Sequence, residues 1–216
     1  MDMTPLYLSL QLAAVGTGCL LVAAVPISYC LVFQRFPGLV FVESIVGLPL
    51  VLPPTVLGFF LLIALGPASA FGRGWETLFG RPLIFTFAGI VMAAVLQGLP
   101  FAVQPLKTAF AKVDRHLVET AYVLGASPIR TFFKVVLPNA RGGLIAAAIL
   151  SFAHIMGEFG VILMVGGSIS GKTKVASIAI YEFVETMRYQ HAWVLSLTLL
   201  TISYAVLLLF NYLNRE

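Results

Sequence analysis

Glu119-Thr120-Ala121-Tyr122-Val123-Leu124-Gly125-Ala126-Ser127-Pro128, running on to Leu137-Pro138, lies in the longest charged interval of an otherwise apolar chain. Its punctuation spells two short helices. Asp114 is placed to cap the first, and Gly125 to end it in the left-handed conformation. Ser127 followed by Pro128 restarts the helix: a hydroxyl cap, then proline at the first helical position. Pro138 is expected to stop the second helix. Within that helix Ile129, Phe132, Phe133 and Val136 recur at i, i+3, i+4 and i+7, while Arg130, Thr131 and Lys134 point elsewhere. The pattern predicts a compact helix-turn-helix over 114–138, with one apolar and one basic face, held outside the bilayer. Physics alone leaves two readings: an amphipathic loop resting on headgroups, or a docking element laid helix-in-groove on a soluble partner.

Composition sets the context. The 216 residues are 60% hydrophobic and 10% charged, with mean hydropathy +1.00. That describes one polytopic helical membrane domain embedded in the lipid bilayer, not a soluble protein. The net charge of +4 needs no nucleic acid, because the sparse basic residues flank apolar runs. Cys19 and Cys30, about 16 Å apart along one helix, are too far apart to pair. Met1-Asp2-Met3-Thr4-Pro5 lacks a basic leader, and the run behind it is too long for a signal peptide, so it reads as a retained span.

Charge-free intervals give about five spans, at 6–33, 45–65, 83–103, 142–165 and 193–213. The second contains Pro49, Pro53 and Pro54 and is expected to be broken. Five spans put the termini on opposite sides. With the N-terminus outside, Arg35, Lys107, Lys112, Arg115, Arg130, Lys134, Arg141 and Arg215 lie inside. Arg73, Arg81, Lys172, Lys174 and Arg188 then lie outside. Eight against five favours this orientation, which makes the central loop and the C-terminus cytoplasmic. Gly16 and Gly18, Gly89 and Ala93, Gly142 with Ala146, and Gly157 and Gly160 are small pairs suited to close helix packing. Outside, residues 174–188 predict a surface helix with Ala176, Ile180, Phe183, Val184 and Met187 on one face.

Gly166-Gly167-Ser168-Ile169-Ser170-Gly171-Lys172-Thr173 fits the P-loop pattern in full. Context argues against a nucleotide site: there is no alternation of strands and helices, no later acidic strand end for magnesium, and the loop falls on the outer side. A basic, hydroxyl-bearing loop whose amides, Ser168, Ser170 and Lys172 attract an anion is the better reading. Glu158 is the acidic residue inside a span, with His154 one turn before it. It reads either as part of a proton relay or as one half of a hydrogen-bonded pair that fixes helix packing. No Lys or Arg stands inside a span, and a dianion held tightly at that depth would need one. Only Thr17, Thr55, Thr86, Gln97, Gln104, Ser151, Ser196, Thr201 and freed backbone offer donors. The pathway therefore passes its substrate weakly, with Pro53, Pro54, Thr55, Ser151 and Glu158 as candidate pathway or gate residues. The chain carries no nucleophile–base pair or metal cluster, and His116, His154 and His191 are scattered, so it is not read as an enzyme.

The spacing from Glu119-Thr120-Ala121 through Gly125 to Val135-Val136-Leu137-Pro138 resembles the EAA-G-I-LP signature of binding-protein-dependent ABC importer permeases. Thr120 and Val135 replace the family's more frequent alanine and isoleucine. Leu48-Pro49-Leu50-Val51-Leu52-Pro53-Pro54-Thr55-Val56-Leu57-Gly58 looks like the molybdate importer permeases. So do Gly157-Glu158-Phe159-Gly160 and the Gly166-Gly167 loop leading to Ser177-Ile178-Ala179-Ile180-Tyr181. Tungstate and sulfate permeases share parts of these runs. The resemblance implies an all-α type I permease fold in a bacterial or archaeal inner membrane, working by alternating access. It also implies a homodimer, two ATP-binding cassette subunits and an extracytoplasmic oxyanion-binding protein. Glu119, Thr120, Ala121, Gly125, Ala126, Ser127, Pro128, Leu137 and Pro138 would form the coupling loop to the ATPase. ATP and magnesium would sit on that partner, with no cofactor on this chain. A proton-coupled anion carrier using Glu158 and His154 is the contrasting reading.

Overall fold

The computed structural model describes residues 3–34 and 36–213, which leaves Arg35 and Arg215 of the charge count outside the described residues. Among the described residues every regular element is helical. The centre is a bundle of α1 (Thr4–Phe33), α5 (Phe87–Ala111) and α9 (Arg141–Gly157), packed against one another along their lengths. Leu12, Leu20, Ile90, Leu106, Ile155 and Met156 fill it. The helices approach closely where side chains are absent: a Cβ on Gly16 would stand 3.1 Å from Ile155 Cδ1, and one on Gly98 2.8 Å from Leu20 Cδ2. Gly18, Gly142 and Gly157, expected at helix contacts, face open space instead.

Three helices are long and apolar enough to cross a membrane unbroken, Thr4–Phe33, Phe87–Ala111 and Tyr189–Leu208. There are up to five crossings if each of two bent pairs counts as one. The first pair is α2 (Leu39–Gly47) with a 3₁₀ turn (Leu48–Leu50), then α3 (Pro54–Leu65), bent by 115°. Pro49, Pro53 and Pro54 cannot donate, so the ladder stops at Leu52, whose N–H reaches Leu48 O at 3.1 Å; Pro53 is extended before Pro54. The second pair joins the Pro128–Asn139 helix to α9 at 74°.

The expected third span, 83–103, is displaced. Phe85 has φ +59° and donates its N–H to Val165 O, Thr86 caps, and the helix then runs on to Ala111 through Pro100 and Pro105. The expected fourth span, 142–165, is interrupted: α9 ends at Gly157, and α10 (Gly160–Gly166) starts after an extended Glu158. Two further helices occupy the end of the bundle expected to lie outside. They are the amphipathic α4 (Ala70–Phe79), which the charge-free intervals do not signal, and α11 (Ala176–Glu185). In α11 Ala176, Ile178 and Ala179 are buried, while Val184 and Met187 are exposed, contrary to the expected face. The helix stops at Glu185, and Met187 turns left-handed, φ +55°. α12 (Tyr189–Leu213) completes the chain.

Candidate functional site: a coupling loop and two broken helices

The loop after α5 folds as its punctuation predicts locally. Asp114 Oδ1 accepts from His116 N–H at 2.9 Å and opens α6 (Arg115–Val123). α6 closes with two bonds, Ala126 N–H to Ala121 O and Gly125 N–H to Tyr122 O, both 2.9 Å, with Gly125 at φ +77°. This is the left-handed ending that favours glycine. Ser127 Oγ then caps α7 (Pro128–Thr131), accepting from Arg130 N–H at 3.3 Å.

Two expectations for the second helix need correction. Pro138 does not stop it. A π-turn (Phe132–Val136) widens the ladder, and α8 (Leu137–Asn139) carries the helix past the proline. Asn139 Nδ2 donates to Val135 O at 2.7 Å, partnering a carbonyl in the widened turn. The extra residue also rotates the faces. Thr131 and Val136 are buried, whereas Ile129 (73% exposed) and Phe133 (61%) turn outward. With Val123 (87%) and Leu124 (80%) they form an apolar crown on the loop.

An aromatic ring of the loop packs against two membrane helices. Phe132 stands edge-on to Tyr29 of α1 (5.2 Å, 85°) and to Phe110 of α5 (6.2 Å, 75°). Sequence reasoning singled out neither Tyr29 nor Phe110. Their signal was only aromatic residues near the ends of two spans. A 390 Å³ cleft lined by Val32, Phe33, Arg115, Val118 and Glu119 separates the end of α1 from α6. Nearby, Lys107 of α5 pairs with Glu43 of α2.

The two broken helices meet. α3 packs along α10, and a Cβ on Gly160 would lie 2.9 Å from Cβ of Pro54 and 3.6 Å from Thr55 N. Glu158, 8% exposed, borders this joint. Its Oε1 accepts from Val161 N–H at 3.3 Å, and Ser177 Oγ donates to its backbone oxygen at 2.7 Å. The expected His154–Glu158 hydrogen bond does not form: Nε2 stands 3.6 Å from Oε2 and has no hydrogen-bond partner. Glu158 is extended, so its carboxylate turns to the start of α10, and His154 stacks on Phe101 at 3.9 Å. The joint thus sets Pro54 and Thr55 against Gly160, two residues after Glu158 in the chain, and Pro53 is exposed. Ser151 is not part of this group. It lies fully buried in α9, and its Oγ, like Thr17 Oγ1 and Gln97 Oε1, has no hydrogen-bond partner.

The P-loop-like segment is closed upon itself. Thr173 is buried and its Oγ1 donates to Gly166 O at 2.7 Å. The amides of Lys172, Thr173 and Lys174 all bond Ile169 O. Ser168 and Lys174 engage Glu182, Lys174 at 2.6 Å. These amides are therefore committed within the loop, and of the expected anion-attracting side chains Ser168 is engaged while Lys172 remains exposed. Among the described residues no group of acidic, His or Cys side chains is placed to hold a metal.

Residues 22–216 match the family described as the binding-protein-dependent transport system inner membrane component. The chain belongs to that family. It is a transport subunit rather than an enzyme, and it spans the membrane several times. The chain is 46% identical to the molybdenum transport system permease protein ModB of Azotobacter vinelandii, over 95% of this chain and 91% of the other. It is 35% identical to a probable sulfate transport system permease protein of Chlorella vulgaris, over 86% of this chain and 69% of the other. The fold is that of the inward-facing MetNI methionine ABC transporter, with TM-score 0.71, 18% identity, and coverage of 98% and 93%.

Proposed function

We propose that this chain is the permease subunit of an ATP-driven importer for molybdate. Two copies would form the pathway, two ATP-binding subunits would dock on the 114–138 loops, and a separate extracytoplasmic protein would deliver the oxyanion. ATP and magnesium belong to the docked subunits. The observation that carries the substrate is the 46% identity, over nearly the full length of both chains, to a molybdenum permease. The sulfate relative is more distant and is matched over less of its length.

The docking assignment is supported by the apolar crown of Val123, Leu124, Ile129 and Phe133, four exposed side chains presented by a capped, rigid turn. Their burial in a partner groove is worth about 1.5–3 kcal/mol each before ordering costs. Closure of the ATP-binding subunits moves this loop, and Phe132 passes the motion to α1 and α5. The α3–α10 joint, where both helices are interrupted, is the place in the bundle best suited to change shape. The orientation proposed has the N-terminus outside, with the coupling loop and C-terminus cytoplasmic.

Uptake of molybdate into vesicles containing this chain, its ATP-binding subunit and the binding protein tests the reading. ATP-dependent uptake blocked by excess tungstate and untouched by sulfate is the expected result. Competition by sulfate moves the assignment to the sulfate permeases. Uptake driven by a pH gradient without ATP overturns the coupling altogether.

A further inference from the structure

The ends of α1 and α5 remote from the coupling loop carry two joined cavities. A cavity of about 480 Å³ is lined there by Gln11, Arg81, Thr86, Gly171 and Lys172, among others. Neither the Arg81 nor the Lys172 side chain has a carboxylate or a hydrogen-bond partner among the described residues, and no acidic residue lines the cavity. Two free cations facing one cavity attract an anion. Directly adjoining it is a second cavity of about 550 Å³ that shares Arg81, Thr86 and Phe87 but is otherwise apolar. Val15 and Cys19 of α1 and Val91 and Val95 of α5 form its walls, and Trp75 of α4 stands at its edge.

Depth identifies the occupant. From Gln11 to Val32, beside the coupling loop, α1 rises about 32 Å, the thickness of the hydrocarbon core. The cationic cavity therefore sits at the opposite membrane surface. The apolar groove descends from it by about 12 Å, the rise from Phe87 to Val95, which is close to one leaflet. α4 marks the same level: Phe71, Trp75, Leu78 and Phe79 form one apolar stripe at i, i+4, i+7 and i+8, with Arg73 and Glu76 off it. Trp75 is held by its stack on Phe79 at 4.1 Å, in the position of an interfacial tryptophan.

We propose that these joined cavities bind one anionic phospholipid, its phosphate between Arg81 and Lys172 and an acyl chain along Val15, Cys19, Val91 and Val95. A free oxyanion would use the head and leave the groove empty; a lipid uses both. The site does not depend on which ion is transported.

The chain has two tryptophans, so Trp193→Phe leaves Trp75 as the sole reporter. The full chain carrying that change is reconstituted with acyl-brominated phosphatidylglycerol or acyl-brominated phosphatidylcholine, and quenching of Trp75 is titrated. The phosphatidylglycerol form is expected to quench at lower fractions. Arg81→Gln and Lys172→Gln should each weaken that preference about fivefold, and the double variant should abolish it. The charge-preserving Arg81→Lys should retain it. Three results overturn the proposal: equal quenching by both lipids, displacement of the brominated phosphatidylglycerol by inorganic phosphate or molybdate, and a Trp75 that neither lipid reaches. The last would mean that another copy of the chain covers the groove.

Discussion

The ring of Phe132 stands nearly perpendicular to that of Tyr29, 5.2 Å away, and this contact joins the 114–138 loop to the first membrane helix. Phe110 completes the cluster from α5. Removing Phe132 empties a half-buried site touched by both helices, at a cost of about 2–4 kcal/mol. Phe132→Ala is expected to leave ATPase activity in the assembled complex while lowering the ions moved per ATP. Ile129→Ser, on the outer crown, should instead weaken attachment of the ATP-binding subunit and leave the stability of the chain unchanged. Parallel measurements of ATP turnover, uptake and subunit co-purification separate the two. Equal loss of all three in both variants would sink the division of labour.

Gly125 and Met187 hold the same place in two helix endings, each with the paired bonds that close a left-handed cap. The glycine is at ease at φ +77°, whereas methionine at φ +55° is strained. Gly125→Val should cost about 1–2 kcal/mol locally and lose transport while the protein still inserts. Met187→Gly should raise thermal stability by up to about 1 kcal/mol. Thermal unfolding in detergent reads both; a Met187→Gly protein less stable than its parent would refute the strain.

Space, not conformation, governs Gly160. A Cβ there would stand 2.9 Å from Pro54 Cβ, with backbone of the next helix 3.6 Å away. Gly160→Val is therefore expected to push α10 off α3 and destabilise the chain by about 1–3 kcal/mol. Gly142→Ala, which meets nothing within 4 Å, serves as the control and should be neutral or slightly stabilising. Comparable unfolding temperatures for the two variants would show that the joint is loose.

What the sequence made legible was whatever local chemistry dictates. Ser127-Pro128 and Gly125 specify a turn through caps and φ, and three prolines specify a break in the second span. The faces of the second loop helix were not legible, because the π-turn at Phe132–Val136 puts an extra residue into one turn and a 3.6-residue period then misplaces Thr131 and Ile129. α4 was missed for a related reason: Arg73 and Glu76 interrupt the apolar run, and a helix lying along the surface gives no charge-free interval. The run 142–165 predicts one span through Glu158, which places His154 one turn before it on the same face. The break that redirects it depends on α3 lying alongside, a contact more than 100 residues away in sequence.

Burial of Glu182 raises its carboxyl pKa, but the hydrogen bonds from Lys174 and Ser168 outweigh this and hold it below the usual carboxylate range. The charged form is the one the fold favours. Its contribution is present above the unfolded value, about pH 4.3, and is lost as pH falls through the lower folded value. Glu182→Gln should therefore lower thermal stability at pH 7 by no more than about 1 kcal/mol, the scale of an exposed pair. The gap between the two proteins should close on acidification below pH 4 to 5. A gap that widens in acid would show that the Lys174 and Ser168 contacts do not persist.

Glu158 separates the ATP-driven permease from a proton-coupled carrier. Its Oε1 accepts the Val161 N–H at the start of α10, a task that needs an acceptor and no proton transfer. Glutamine keeps an acceptor there, whereas alanine leaves the amide unpaired in a buried joint at a cost of about 1–2 kcal/mol. Glu158→Gln should therefore retain ATP-driven uptake, and Glu158→Ala should lose thermal stability with a matching loss of uptake. If Glu158→Gln abolished uptake without any change in stability, the carboxylate would have to ionise during the cycle. His154, 3.6 Å away and stacked on Phe101, would then be the group to examine as its proton partner.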